Sequence, residues 1–212
     1  VKLGIAVIEL TPGTAAGDFT LSGNPAGSPR TDGAQDADAI ALVLHTSGTT
    51  SRPKIVPLSQ RNICASASNV AASLTLSSAD RCLNVMPLFH IHGLIAAVLS
   101  SLSAGAEIFC SPGFNALRFF SWMDEASPTW YTAVPTMHQA ILSRAARNPD
   151  SIKASPLRFI RSSSASLPPQ VMAALEETFG APVIEAYGMT EAAHQMARGQ
   201  HHVTGRKTAR YR

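Results

Sequence analysis

The sequence predicts an α/β fold: a largely parallel sheet with flanking helices. Three observations carry this expectation. From Ala39 onward, short runs rich in β-branched and aromatic residues alternate with stretches of helical character, the pattern of strands joined by helical crossovers. Glycine and proline stand where those stretches should begin and end. A chain of 212 residues, 45% hydrophobic and 15% charged, can bury one substantial core.

Taken in order, Val1 to Leu10 alternates loosely and is expected to be a strand. Residues 11–35 are rich in Gly, Pro, Ser and Ala and read as a long surface connection. Ala39 to His45 is the first buried strand. Ser59 is placed to cap a helix running to about Ser73, after which Arg81 to Met86 returns as a strand. A helix follows from about Leu94 to Leu102, ending near Gly105, then a strand over Ala106 to Cys110. Asn115 can cap a helix to about Glu125, Thr129 to Val134 is β-rich, and Pro135 opens a helix to Arg147. Arg158 to Arg161 is the next strand. Pro168 and Pro169 suit the first turn of a helix that Gly180 ends, and Pro182 to Ala186 is the last strand. The chain has no internal repeat. Its three domains of behaviour are thus residues 1–35 (a strand and a connection), 36–197 (the α/β body) and 198–212 (a basic, aperiodic tail expected to be disordered).

Composition excludes several classes. The apolar run from Gly93 to Leu102 is interrupted by serine and is too short for a bilayer core of about 30 Å, so no transmembrane segment is expected. Cys64, Cys82 and Cys110 are odd in number and lack CxxC spacing, which argues against a disulfide framework or a structural zinc site and fits a reducing compartment. The pI of about 9.0 is misleading. Five of the 17 basic side chains, and none of the 14 acids, lie in residues 198–212, so the rest of the chain is slightly acidic and no nucleic-acid surface is indicated. No basic n-region or cleavage pattern marks a secretory signal, and a chain beginning at Val1 is expected to lack its true start.

Directly after the first α/β strand comes Thr46-Ser47-Gly48-Thr49-Thr50-Ser51-Arg52-Pro53-Lys54. Hydroxyls and free backbone N–H groups can wrap phosphate oxygens, one glycine lets the backbone approach, and lysine adds a cation. This is the composition of a polyphosphate cradle. It is not the GxxxxGK[ST] loop, because the glycine and lysine spacing differ. An ordinary Ser/Thr turn is the alternative.

Thr46 to Lys54 resembles the signature loop of the adenylate-forming superfamily of acyl-CoA synthetases, luciferases and peptide-synthetase adenylation domains, with Ser51 where glycine is usual. The resemblance extends, in the family's order, to Pro87-Leu-Phe-His-Ile-His-Gly93, Ala133-Val-Pro-Thr136, Ser162-Ser-Ser-Ala-Ser-Leu167 and Glu185-Ala-Tyr-Gly-Met-Thr-Glu191. The texture of Arg81 to Gly93 and of Met189 to His194 is most similar to the branch containing oxalate-CoA ligases.

The resemblance implies an acid-thiol ligase. In that chemistry a carboxylate attacks the α-phosphate of ATP to give an acyl-adenylate and pyrophosphate, and the thiol of CoA then takes the acyl group. Thr46, Ser47, Gly48, Thr49, Thr50 and Lys54 would hold the β- and γ-phosphates. Ser164, Ala165 and Ser166 would form one wall of the nucleotide pocket, and Glu185, Ala186, Tyr187, Gly188 and Met189 the other, with Tyr187 on adenine. Thr190 would touch the α-phosphate, and Glu191, with Thr46, would bind Mg²⁺. His90 would stand between the acyl pocket and the thiol channel as a gate, and His90, Ser164 and His194 would contact the acid, oxalate or another small one.

Plainer readings stand beside these. Glu191 is also a helix first-turn acid favoured by the macrodipole, Tyr187 could be core filler, and Ser164 to Ser166 a polar turn before Pro168. His90 and His92 could be a metal pair on one strand face, although no third ligand is suggested. His194, three residues after Glu191, would share its helix face and reach a second carboxylate, or would be a surface histidine.

A whole family member would continue into a ribose-binding aspartate, a hinge and a small C-terminal lid with a catalytic lysine. None is recognisable here, so the chain is expected to be part of the large N-terminal domain and to turn over poorly alone. A non-catalytic nucleotide-binding remnant and, less favoured, a basic-tailed binding protein are the competing readings. A cytoplasmic location, or a peroxisomal one in a eukaryote, is what the resemblance implies.

Overall fold

The computed structural model describes residues 7–15, 18–23, 36–46 and 53–199. Two compact units divide the chain at residues 35 and 36. In the first, β1 (Glu9–Pro12) pairs antiparallel with β2 (Phe19–Ser22), Glu9 opposite Ser22. The second strand falls inside the stretch read as a connection. Phe19 and Leu21 alternate with Thr20 and Ser22, a two-residue period too short to stand out among the surrounding glycines and prolines.

The second unit opens with β3 (Ile40–Thr46) and β4 (Lys54–Ser59), an antiparallel hairpin in which Thr46 faces Lys54. This corrects the sequence reading of a buried strand: Ile40 is 64% exposed and Val43 51%. An unbroken apolar run does not say whether one face or two are covered. Here only Val56 and Leu58, with Leu42 and Leu44 beside them, turn inward against Ile91, Ile95 and Ala193.

Ser59 caps α1 (Gln60–Leu74) through a reciprocal pair of bonds, its side chain accepting from the Asn62 N–H and the Asn62 side chain accepting from the Ser59 N–H. Then come β5 (Arg81–Asn84), a helical segment made of α2 (Ile91–Gly93), a π turn (Leu94–Leu99) and α3 (Ser100–Ser103), and β6 (Glu107–Cys110). After α4 (Phe119–Ala126), β7 (Trp130–Ala133) and α5 (Pro135–Ala145) follows α6 (Pro149–Ala154), a short helix in a stretch to which the sequence reading assigns no element. The chain continues through β8 (Phe159–Ser162), α7 (Pro169–Phe179), β9 (Val183–Met189), a 3₁₀ turn (Thr190–Ala192) and β10 (His194–Arg198). Gly180 ends α7 at φ +62°, as its position foretold.

The six-stranded sheet has the order β10-β9-β8-β7-β5-β6, parallel throughout except for the antiparallel edge strand β10. Adjacent residues of the central strands enter opposite cores. Cys82, Trp130 and Phe159 pack with Val70 and Leu74 of α1 and with Ala96 and Ala97. Leu83, Tyr131 and Ile160 pack with α4, α5 and α7 on the other face. Coverage of both faces explains why these strands read as near-continuous apolar runs. Among the described residues no helix is long and apolar enough to cross a membrane.

Candidate functional site

All five parallel strands run the same way, so the loops after β5, β7, β8 and β9 gather along one edge, the place where open α/β sheets bind ligands. After β5, Asn84 closes a turn by donating to the Met86 carbonyl at 3.2 Å and accepting from the Met86 N–H at 3.1 Å. Gly93 presses on that turn: a Cβ there would meet the carbonyl oxygens of Pro87 and Met86. The helix therefore starts at once, with His90 as its N-cap, its Nδ1 accepting the His92 N–H at 3.1 Å.

After β8, the Ser163 hydroxyl donates to the Ala186 carbonyl at 2.9 Å, and the Leu167 N–H donates to Glu185 Oε1 at 2.8 Å. These two bonds strap the Ser163–Leu167 loop to β9. Ser164 sits at φ +73°, Ala193 at +53° and His194 at +112°, so three of the five described non-glycine residues with positive φ are at this site. Each such residue costs of order 1–3 kcal/mol, and clusters of them mark sites whose geometry the surroundings enforce. Gly188 is held equally tightly, since a Cβ on it would strike the His194 carbonyl.

Two cavities open between these walls. One, of about 280 Å³, is lined by Ser164, Ala165 and Ser166 on one side and by Glu185, Ala186, Tyr187 and Gly188 on the other; Tyr187 is 56% exposed. The second, of about 130 Å³, is bounded by His90, Ser164, Gly188, Thr190 and His194. Ser164 and Gly188 belong to both, so the cavities adjoin.

Beneath the smaller cavity lies a buried polar cluster centred on Arg161, which is fully buried. Its Nη1 donates to His92 Nε2 (3.2 Å) and Thr132 Oγ1 (3.4 Å), and its Nη2 to Gln195 Oε1 (3.1 Å) and His194 Nδ1 (3.4 Å). Among the described residues its Nε has no partner, and no carboxylate pairs with it. Burial lowers this guanidinium to about 10, leaving it cationic at neutral pH. His92 and His194 are pushed well below the usual imidazole value by burial first and by Arg161 second, and burial also lowers His90.

The structure thus brings His90, Ser164, Ala165, Ser166, Glu185 to Thr190 and His194 to one edge. Glu191 is exposed on the 3₁₀ turn, against which β4 lies, and not in the first turn of an α-helix. His194 does not share a helix face with it. The chain reverses at Ala193 into β10, and His194 is 2% exposed, so the surface-histidine alternative is also overturned. The residues from Glu191 to Arg198 look helical because Ala, Met and Gln favour helices; the left-handed Ala193 and the pairing of His194 with Met189 decide otherwise. His90 and His92 do not share a strand face either: one caps a helix and the other lies in its first turn, and no metal-binding group of three or more His, Cys, Asp or Glu occurs among the described residues. Thr46 and Lys54 stand opposite each other at the mouth of the β3–β4 hairpin; Ser47, Gly48, Thr49, Thr50 and the tail from residue 200 lie outside the described residues. The sequence reading missed Arg161, His92 and Thr132 as a cluster. A charged residue inside an otherwise apolar strand, Phe159-Ile160-Arg161, was the available signal.

The family model for AMP-binding enzymes matches residues 5–211. An oxalate–CoA ligase of Arabidopsis thaliana is 48% identical over 201 residues, covering 92% of this chain and 39% of that protein. An oxalate–CoA ligase of Saccharomyces cerevisiae is 44% identical over 157 residues, covering 74% and 28%. A malonyl-CoA ligase solved with methylmalonyl-CoA and AMP matches with a TM-score of 0.72 at 31% identity, over 81% of this chain and 37% of that one. The chain spans less than two fifths of the length of these relatives. With its six-stranded, mostly parallel sheet and its ordered motifs, the chain belongs to the family of AMP-binding enzymes, the adenylate-forming fold of the acyl-CoA ligases.

Proposed function

We propose that this chain contributes the nucleotide and acid sites of a ligase that uses ATP to convert a small carboxylic acid to its acyl-adenylate and then passes the acyl group to CoA. The observation that carries the reading is the pair of adjoining cavities at the carboxyl ends of the strands, one beside Tyr187 and one beside His90 and His194. An acyl-adenylate needs such a pair, because its nucleotide and acyl halves diverge from one phosphorus. The acid side is small: about 130 Å³ is well under the roughly 300–1,000 Å³ of drug-sized ligand sites. Oxalate or another short acid suits it, as the names of the two similar oxalate–CoA ligases also suggest.

In this reading Thr46, Lys54 and the loop between them hold the β- and γ-phosphates, Tyr187 packs on adenine, and Ser164 to Ser166 form the facing wall. Thr190 contacts the α-phosphate, and His90 stands where the acid meets the incoming thiol. No described cluster could hold a metal by protein ligands alone. An exposed Glu191 and a buried Thr46 hydroxyl without a partner among the described residues instead suit Mg²⁺, which takes one or two carboxylates and keeps the rest of its shell for phosphate and water. Bound there, Mg²⁺ would offset the charge that develops on the departing pyrophosphate. The chain's own residues position the two reactants and exclude water from between them, which is where most of the catalytic advantage of such a site lies.

Amide-shift mapping with AMP and with ATP tests the reading. Lys54 and residues 187–191 are expected to shift together, since one nucleotide reaches both. Shifts confined to the arginine-rich residues 198–212 would mean simple charge attraction and would refute it.

A further inference from the structure

Arg161 is costly to bury and has no carboxylate partner among the described residues, yet it lies directly under the acid cavity. Its chemistry fixes that of its neighbours, because a guanidinium can only donate hydrogen bonds. His194 Nδ1, 3.4 Å from Nη2, must therefore be the bare nitrogen, and the ring proton sits on Nε2, for which no described residue is a partner. His92 Nε2 must likewise be bare, since it faces Nη1 at 3.2 Å, and it takes the Thr132 hydroxyl proton at 2.6 Å. The His92 proton is then on Nδ1 and is given to Ser164 Oγ at 3.0 Å, so the Ser164 hydroxyl proton is free to point elsewhere. His90 follows the same rule through the backbone: its Nδ1 accepts the His92 N–H, leaving Nε2–H.

We infer that Arg161 is a positioning residue that orients this hydrogen-bond network so that the wall of the small cavity presents three donors, His90 Nε2–H, His194 Nε2–H and the Ser164 hydroxyl, to the second carboxylate of a short dicarboxylic acid. None of the residues lining the cavity is acidic. The buried cation adds a long-range attraction that a monocarboxylate, whose one charged group is at the reacting end, does not use. The other tautomer at His194 would turn a lone pair toward the same carboxylate and repel it, and a ring flip would remove the donor, so what Arg161 secures is a direction, and direct contact with the acid is not required of it. This inference deepens the proposed function and rests on it for the identity of the cavity.

The test uses protein labelled with ¹⁵N in histidine. Long-range ¹H–¹⁵N spectra at neutral pH read each tautomer directly: His92 is expected as Nδ1–H, and His90 and His194 as Nε2–H, all neutral. Finding His194 as Nδ1–H or His92 as Nε2–H would overturn the inference whatever any variant does. In Arg161→Met, His194 should lose its single tautomer, and in Arg161→Lys, which keeps a donor and a charge, it should largely regain it; unchanged tautomers in a folded Arg161→Met would refute the role. In the same samples, saturated with AMP, oxalate and malonate are titrated beside acetate. Wild type should bind the dianions about tenfold or more tightly than acetate, and Arg161→Met should not discriminate. Equal affinity in wild type, with AMP shifts present on residues 187–191, sinks the dicarboxylate inference alone. Absence of AMP shifts sinks the proposed function and the acid class with it, while the tautomers, read without ligand, still decide the role of Arg161.

Discussion

The buried histidines make a specific prediction about acid stability. His138 lies fully buried against Tyr131, whose hydroxyl is 3.2 Å from Nδ1, and burial lowers it to about 4; burial also holds His194 far below the usual imidazole value. Both are neutral in the fold and become charged on unfolding once the pH drops below about 6.5. For a folded pKa depressed in this way, the stability contribution is complete above 6.5 and is lost as pH falls through the window between 6.5 and the folded value. At pH 5 each costs about 1.4 kcal/mol for each of 1.5 pH units, about 2 kcal/mol, so the two together remove about 4 kcal/mol. That is a large part of an ordinary domain's 5–15 kcal/mol. His92, lowered in the same direction, can only add to it. Carboxylates do not imitate the effect, because they titrate at lower pH, and Asp80 in particular is held below its usual value. The assay is urea unfolding followed by circular dichroism at pH 7.5 and pH 5.0. The expected difference is at least about 4 kcal/mol, and in His138→Gln, whatever its stability at pH 7.5, the difference between the two pH values should shrink by about 2 kcal/mol. Equal stability at both pH values, or an unaltered difference in the variant, would refute the reasoning.

Two further substitutions isolate single terms. Gly180→Ala places a side chain at φ +62° with nothing within 4 Å of the new Cβ, so the loss of about 1 kcal/mol is backbone strain alone and should appear as a fall in Tm of a few degrees with nucleotide binding unchanged. Asp80 is 4% exposed and accepts from Arg158 Nε (2.9 Å), Arg158 Nη2 (3.1 Å), the Ser77 N–H (2.9 Å) and the Thr129 hydroxyl (2.8 Å); burial alone would raise its carboxyl, and these bonds lower it. Asp80→Asn should cost about 2 kcal/mol at neutral pH, and the difference from wild type should narrow only below pH 4, as the wild-type carboxyl protonates in turn; a neutral substitution would show that the charge is dispensable.

The parallel core was legible because its causes are local and repeated. Cys82-Leu83, Trp130-Tyr131 and Phe159-Ile160 send neighbouring side chains to opposite faces, and the helices after β7 and β8 open on Pro135 and Pro169. That Ser162 to Leu167 and Glu185 to Glu191 would meet was legible for another reason: they lie at the ends of neighbouring strands in sequence order. What escaped depends on chain reversal. Whether Ala39 to His45 joins the sheet or folds back on Lys54 to Ser59 is decided by pairing and not by its apolar residues, and His194 changes from a helix-face residue to a buried one because Ala193 takes a left-handed turn. The Arg161 cluster draws on β7, β8, α2 and β10, four segments spread over about half the chain, and no single window of sequence contains it.

Stability does not explain that cluster. Replacing a buried charge and its polar partners by apolar residues of similar volume is often neutral or stabilising by about 1–4 kcal/mol, and the faces of this sheet are already filled with Trp, Tyr, Phe, Leu and Ile. An apolar residue at position 161 would extend the layer of Trp130 and Phe159, on whose side of the sheet it lies by the two-residue period. Instead the chain keeps an arginine there, whose Nε has no partner among the described residues, and holds three residues nearby in left-handed backbone. Each of these lowers stability. All of them converge on the wall between the two cavities, and at the opposite ends of the same strands the charged Asp80 and Arg158 are fully paired with each other and with Thr129. At that end the buried Asp80 is answered within the protein by Arg158. The other holds a cation with no carboxylate partner among the described residues, and in the proposed reading the small cavity above it is where an anion enters.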